Sequence, residues 1–133
     1  MDPKVSLDAS LLSELSAQAT VNPRLRQNYD LRTSLSDGSQ RMLNALEPGT
    51  VLPIHRHRNT SETVVILKGS LVETFYDNQG HPTASYTLKP DSPCVGLNIP
   101  AGQWHNLVCL EPGTVLFEAK DGPWTPLDPS DVL

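Results

Sequence analysis

From about Arg41 to Asp121 the chain is cut into short β-branched and aliphatic segments by breaks that recur about every eight to twelve residues. The breaks are Pro-Gly, Asn-Gln-Gly, Lys-Pro-Asp and Pro-Ala-Gly-Gln, and Pro48, Pro90, Pro100 and Pro112 fall in them, as expected of a residue that cannot donate to a ladder. That rhythm argues for an antiparallel sandwich or barrel. Strands are predicted roughly over Met42 to Leu46, Val51 to His57, Thr63 to Lys68, Ser70 to Tyr76, Ala84 to Leu88, Val95 to Ile99, His105 to Leu110 and Val115 to Ala119.

The segments flanking this region read differently. From Leu7 to Ala19, the residues Leu11, Leu12, Leu15 and Ala19 share one helical face, with Asp8 or Ser6 available as N-cap. The stretch VNPRLRQNYDLRTSLSDGSQ sustains neither period and is read as an irregular arm across the barrel. The tail GPWTPLDPSDVL carries three prolines and is expected either to dock on the barrel or to fray. With 133 residues, 38% of them hydrophobic, one core is expected, divided into helix and arm (1–40), barrel (41–121) and Pro-rich tail (122–133).

Ten basic against fifteen acidic side chains give a net charge of −5 and no electrostatic reason to expect a nucleic-acid partner. The aliphatic run from Val64 to Leu67 is far too short to span a bilayer, and MDPKVSLDAS lacks the regions of a signal peptide, so a cytoplasmic protein is expected. Cys94 and Cys109 are too few for a disulfide framework and are expected to be reduced thiols. If Pro100 to Gly102 made the turn of a hairpin, antiparallel pairing would set the two cysteines opposite each other.

The residues that carry chemistry are His55, His57, Glu62 and His105. In a strand, side chains at i and i+2 point the same way, so His55 and His57 can present two imidazoles to one point. Glu62 opens the next strand, where a return of the chain brings its carboxylate beside them, and His105 can enter from a third strand. Three imidazoles and a carboxylate suit a divalent ion such as iron, manganese, nickel, zinc or copper, with coordination positions left for water or substrate.

These residues fall in a pattern that resembles the cupin superfamily. Its first motif asks for Gly, five residues, His-x-His, three or four residues, Glu, six residues and Gly, and the chain reads Gly49-TVLPI-His55-Arg-His57-RNTS-Glu62-TVVILK-Gly69. Its second motif is matched at the centre by Pro100-Ala-Gly102-Gln-Trp-His105, while Cys94 and Cys109 stand where a Gly and an Asn are expected. The segments PRLRQNYDL, QRMLNALEPGT, HRHRNTSETVVILKGSL, NIPAGQWHNL and FEAKDGPWTP look like the WbuC-type cupin-fold metalloproteins, a family associated with bacterial O-antigen gene clusters. The resemblance implies an all-β, single-domain cupin double-stranded β-helix (jelly-roll barrel) with an N-terminal α-helix. It also implies one divalent transition metal (Zn, Fe, Mn or Ni) held by His55, His57, Glu62 and His105.

Outside that set, Glu118 and Lys120 share a face of the last strand and are the candidates for substrate contact or proton transfer, against the alternative of a surface ion pair. Arg56 and Arg58 are read as outward-facing, with steering of an anionic substrate as the alternative. Trp104 and Trp124 are read as packing anchors or pocket-mouth residues, Arg24, Arg26 and Asn28 as candidate anion contacts, and His81 as a surface residue. Apolar residues on both faces of the strand around Val65 and Leu67 suggest a homodimer. The function expected first is an isomerase- or epimerase-like enzyme acting on a small polar substrate, a sugar or nucleotide-sugar of surface-polysaccharide synthesis. Iron-dependent dioxygen chemistry and a non-catalytic binding module are the alternatives.

Overall fold

A computed structural model describes residues 4–133. The chain opens with helix α1 (Ala9–Val21), capped by the Asp8 carboxylate, which accepts from the Leu11 amide at 2.9 Å. Eight strands follow: β1 (Arg26–Asp30), β2 (Ser39–Leu46), β3 (Glu62–Lys68), β4 (Leu71–Tyr76), β5 (Pro82–Leu88), β6 (Gly96–Ile99), β7 (Trp104–Cys109) and β8 (Thr114–Asp121). They form a five-stranded sheet in the order β1-β2-β8-β3-β6 and a three-stranded sheet in the order β5-β4-β7, every pairing antiparallel. This is the expected all-β jelly-roll barrel with an N-terminal helix.

Two apolar clusters hold it together. Between the sheets lie Leu46, Val64, Ile66, Leu71, Leu88, Ile99, Cys109 and Leu116. On the outer face of the larger sheet, Leu15 and Ala19 of α1 pack on Leu43, Ala45 and Val115, with Leu11 and Leu12 at the margin. The helix face expected from sequence is therefore the one that docks. Each fully buried aliphatic side chain contributes about 1.5–3 kcal/mol relative to exposure. The large sheet is covered on both faces, so β2 and β8 bury residues of both parities.

Three expectations are corrected. The arm contains β1, which pairs with β2 in unbroken register from Arg26 against Leu46 to Asp30 against Met42. Its sequence RQNYD hides the strand because one face looks into a polar interior and offers no apolar alternation. The segment 51–57 is not a strand: Val51 is exposed, Pro53 has no amide to donate, and the only ladder-like contacts are isolated bridges from His55 to His105 and Val132. Finally, β6 and β7 lie in different sheets, so Pro100 to Gly102 is a crossover and Cys94 does not pair with Cys109. Both cysteines are free, the thiol of Cys94 facing the Gly96 carbonyl and that of Cys109 the carbonyls of Leu46 and Glu111.

The tail docks. The Leu133 amide donates to the Ile54 carbonyl at 2.9 Å, the Arg56 amide to the Asp131 carbonyl at 3.0 Å, and a short 3-10 turn, Pro129–Asp131, closes the contact. Among the described residues no helix is long and apolar enough to cross a membrane.

Candidate metal centre and its cavity

His55 is fixed by reciprocal backbone hydrogen bonds with His105, 3.0 and 2.8 Å long, and the His57 carbonyl accepts from the Gly102 amide at 2.8 Å. The 54–57 segment thus extends the edge of β7 without becoming a regular strand, and both histidines reach the site expected of them. Donor atoms of His55, His57 and His105 all lie within 4.8 Å of one another. Glu62, at the start of β3, closes the group: its Oε1 lies 3.0 Å from His105 Nε2 and its Oε2 3.7 Å from His57 Nε2.

Hydrogen bonds outside the cluster set the ring orientations. His55 Nδ1 faces the Pro53 carbonyl at 3.0 Å and His105 Nδ1 the Gln103 carbonyl at 2.8 Å. A carbonyl can only accept, so Nδ1 of each ring carries the proton and Nε2 is the atom turned to the cluster, the arrangement that suits a metal-ligating imidazole. Burial depresses the pKa of His55, reinforced by His105, and pushes that of His57 down to about 4, so both rings are neutral lone-pair donors at neutral pH. At His105 burial acts downward too, yet the hydrogen bond and charge of Glu62 outweigh it and raise the pKa. Burial would raise Glu62, but the same hydrogen bond holds it below the usual carboxylate range. The donor chemistry therefore fits one divalent transition metal, with the proton between His105 and Glu62 leaving on uptake.

The cluster lines a cavity of roughly 250 Å³ inside the barrel, whose walls also include residues of β1, β2 and β8. Strand register explains who faces it: Lys120 of β8 lies between Gln40 of β2 and Glu62 of β3, and Glu118 between Met42 and Val64. Glu118 and Lys120 are therefore cavity residues and not a surface ion pair. Lys120 Nζ approaches His57 Nδ1 at 3.4 Å. Burial, with Glu62 nearby, raises the Glu118 pKa to about 7 against the opposing hydrogen bond from Asn44. Arg24, Arg26, Asn28 and Trp124 line the same cavity.

Other candidates are placed differently. Arg56 and Arg58 do not face the cavity: their guanidinium groups both lie 2.9 Å from Asp131 Oδ1, Arg58 on the exposed outside as expected and Arg56 more covered, stacked over Trp104 at 4.4 Å. Trp104 is a buried anchor whose Nε1 donates to Asn78 Oδ1, whereas Trp124 is 58% exposed. His81 is a surface residue beside Asp77.

Sequence reasoning missed Glu73 and the pair Gln40 and Asn44. Glu73 is 2% exposed, lines the cavity, and is pushed up to about 8 by burial, with His105 acting in the opposite sense. Its signal was an acid at the inward position between Leu71 and Phe75 of β4.

A jelly-roll barrel that gathers three histidines at one inner wall has the architecture of the cupin fold. Residues 7–88 match the family described as "Domain of unknown function (DUF6016)", and the chain belongs to that family. No curated protein matches it. Among solved structures it is similar to KdgF from Halomonas sp., with a TM-score of 0.60 at 17% identity over 79% of this chain and 85% of that one. It is also similar to CapF of Staphylococcus aureus, a capsular polysaccharide assembling protein, with a TM-score of 0.65 at 19% identity over 85% of this chain. This chain spans about a third, 32%, of CapF. An oxalate oxidase matches with a TM-score of 0.61 at 16% identity over 79% of this chain and 56% of its own. At these identities the likeness carries the fold.

Proposed function

We propose that the chain is a metal-dependent enzyme acting on a sugar or nucleotide-sugar in surface-polysaccharide synthesis, isomerase- or epimerase-like, and that it works as a homodimer. One observation carries the reading. The three imidazoles and Glu62 converge on the wall of a ligand-sized cavity that Glu118 and Lys120 also line, Lys120 beside His57. His55, His57, Glu62 and His105 would hold one divalent ion, and such an ion supplies Lewis-acid polarisation of a carbonyl or hydroxyl oxygen. Glu118 and Lys120 act as the proton-transfer pair, one carboxyl and one amine on a single strand face. The apolar cluster fills the rest of the interior and keeps bulk water from entering behind the substrate. The resemblance to WbuC-type metalloproteins and the similarity to CapF, a capsular polysaccharide assembling protein, support the choice of pathway.

The test begins with metal content by inductively coupled plasma mass spectrometry, comparing wild type with the His55→Ala/His105→Ala double variant. About one equivalent in the wild type and none in the variant is expected. Solvent deuterium uptake into sugars and nucleotide-sugars by the loaded protein then reads the reaction, and Glu118→Gln is expected to slow it by about 100-fold or more. A wild type that takes up no metal after reconstitution sinks the proposal. Bound iron with substrate-dependent oxygen uptake and no deuterium exchange would replace it with dioxygen chemistry. Light scattering at low micromolar concentration tests the dimer, and a mass near 14.5 kDa would refute it.

A further inference from the structure

The wall of the cavity away from the histidines is cationic in a protein whose net charge is −5. Arg24 and Arg26 both line it, and among the described residues neither guanidinium has a carboxylate within ion-pair distance or an accepting hydrogen-bond partner. Arg24 is exposed at the cavity rim and Arg26 half-buried below it, where burial and the charge of Arg24 lower the Arg26 pKa and Glu118 opposes them only in part. The backbone enforces the arrangement. Leu25, between them, sits at φ +57, a conformation that non-glycine residues seldom adopt. Its carbonyl is held there by the Glu47 amide at 3.0 Å and the Thr50 hydroxyl at 2.7 Å. Strain that is fixed from several sides in this way is characteristic of ligand clamps.

An independent observation lies beside it. Gln40, 5% exposed, and Asn44 line the same cavity from β2, and Gln40 Oε1 and Asn44 Oδ1 are buried acceptors without a donor. The Gln40 amide nitrogen is already engaged with the Gly122 carbonyl at 3.3 Å, which leaves its oxygen for something else. Buried acceptors of this kind are satisfied in nearly all native structures, here by donors that a ligand would bring. The exposed indole of Trp124 adds a flat apolar surface at the same cavity.

We infer that the cavity binds a hydroxylated small anion, a sugar bearing a carboxylate or phosphate, with its anionic group between Arg24 and Arg26 and its hydroxyls donating to Gln40 Oε1 and Asn44 Oδ1. This rests on the cavity being the substrate site and narrows that site's substrate from sugars to charged sugars. Guanidinium forks bind carboxylate and phosphate oxygens in the same way, so the two sources share one recognition chemistry.

Calorimetric titration of the full chain with D-glucuronate, D-glucose 1-phosphate and neutral D-glucose tests it, on metal-loaded and on chelator-stripped protein. At least one charged sugar is expected to bind about ten-fold or more tightly than D-glucose, and the better of the two identifies carboxylate or phosphate as the anion. The preference is expected to collapse in Arg24→Gln/Arg26→Gln. The neutral hydroxyl contribution should fall in Gln40→Leu while the preference for charge persists. Because the arginines lie on and before β1, away from the histidines, the charge preference should survive metal removal. It would then stand even if the metal-dependent reaction failed its own test. Equal or undetectable binding of all three sugars overturns the inference, as does a charge preference that survives loss of both arginines.

Discussion

Glu73 sits at the one inward position of β4 where a hydrophobic residue would serve the barrel better. Its carboxyl has no hydrogen bond or ion pair among the described residues and is held uncharged by burial, its pKa pushed up to about 8. An unfolded glutamate titrates near 4.3, so between roughly pH 4 and pH 8 the folded chain holds a proton that the unfolded chain has lost. Stability contributed by this neutral carboxyl is full below the unfolded value and is lost as pH rises to the folded value. Glu73→Gln keeps the shape and removes the titration. In chelator-stripped protein, urea melts should show the variant gaining on wild type as pH rises from 5 to 8, by about 2–4 kcal/mol at the upper end. Parallel stability curves for the two proteins would show that Glu73 is charged in the fold. The contrast with His55, His57 and Glu62 shows what sequence carries at this scale. Their spacing around a break specifies a joint use, whereas the inward acid of LVETFY and the amides of SQRMLNAL look the same whether they face solvent or the cavity. Only strand register decides that, and register depends on distant partners.

At the scale of elements, the turn from β3 to β4 is the tightest constraint. Gly69 has φ +78, and a Cβ there would lie 2.7 Å from the Thr114 backbone Cα as well as against its side chain. The Thr114 hydroxyl is not free to yield, since it accepts from the Ser70 amide at 3.2 Å and donates to the Glu111 carbonyl at 2.7 Å. Gly69→Ala is therefore expected to cost about 2–4 kcal/mol, from backbone strain and displacement of β8 together. Gly102, at φ +82 with nothing within 4 Å of the added carbon, should lose only about 1 kcal/mol on the same change. Equal losses in denaturant unfolding would mean that the Thr114 contact does not matter. Period and turn chemistry made β3, β4 and β8 readable: β3 and β4 carry Val64, Ile66, Leu71 and Phe75 inward, and β8 carries Val115 and Phe117 on the face that meets the helix. They failed for β1, whose inward row is polar, and for 51–57, whose extended backbone pairs with the tail and the rim of β7 instead of a sheet. The β6 to β7 link was misjudged for another reason. Consecutive strands usually pair, and a jelly roll breaks that habit by sending the chain across to the other sheet.

At the scale of the whole molecule, residues near the end of the chain hold the segment that carries two of the three histidines. Asp131 accepts from Arg56 and Arg58 through one oxygen, its backbone carbonyl accepts from the Arg56 amide, and Leu133 bonds Ile54 on the other side of His55. Pro123, Pro126 and Pro129 stiffen the approach and reduce the entropy lost when it docks. With no sheet on that side, the 54–57 segment depends on this contact for its position, so cutting the tail should be felt at the metal centre. Asp131→Asn is expected to lower the melting temperature at pH 7 and to weaken metal binding by about ten-fold or more, the usual scale for a group that orients a ligand without touching the ion. The two arginines hold the Asp131 pKa below the ordinary carboxylate range. The stabilisation is therefore complete above the unfolded value, near 4, and disappears as pH falls through the lower folded value. Melts of metal-free wild type and Asp131→Asn should be separated at pH 7 and converge only as acid takes the pH below the ordinary carboxylate range. A variant that melts with wild type at pH 7 and binds metal equally well would show that His55 and His57 are positioned by the barrel alone, leaving the tail as mere cover.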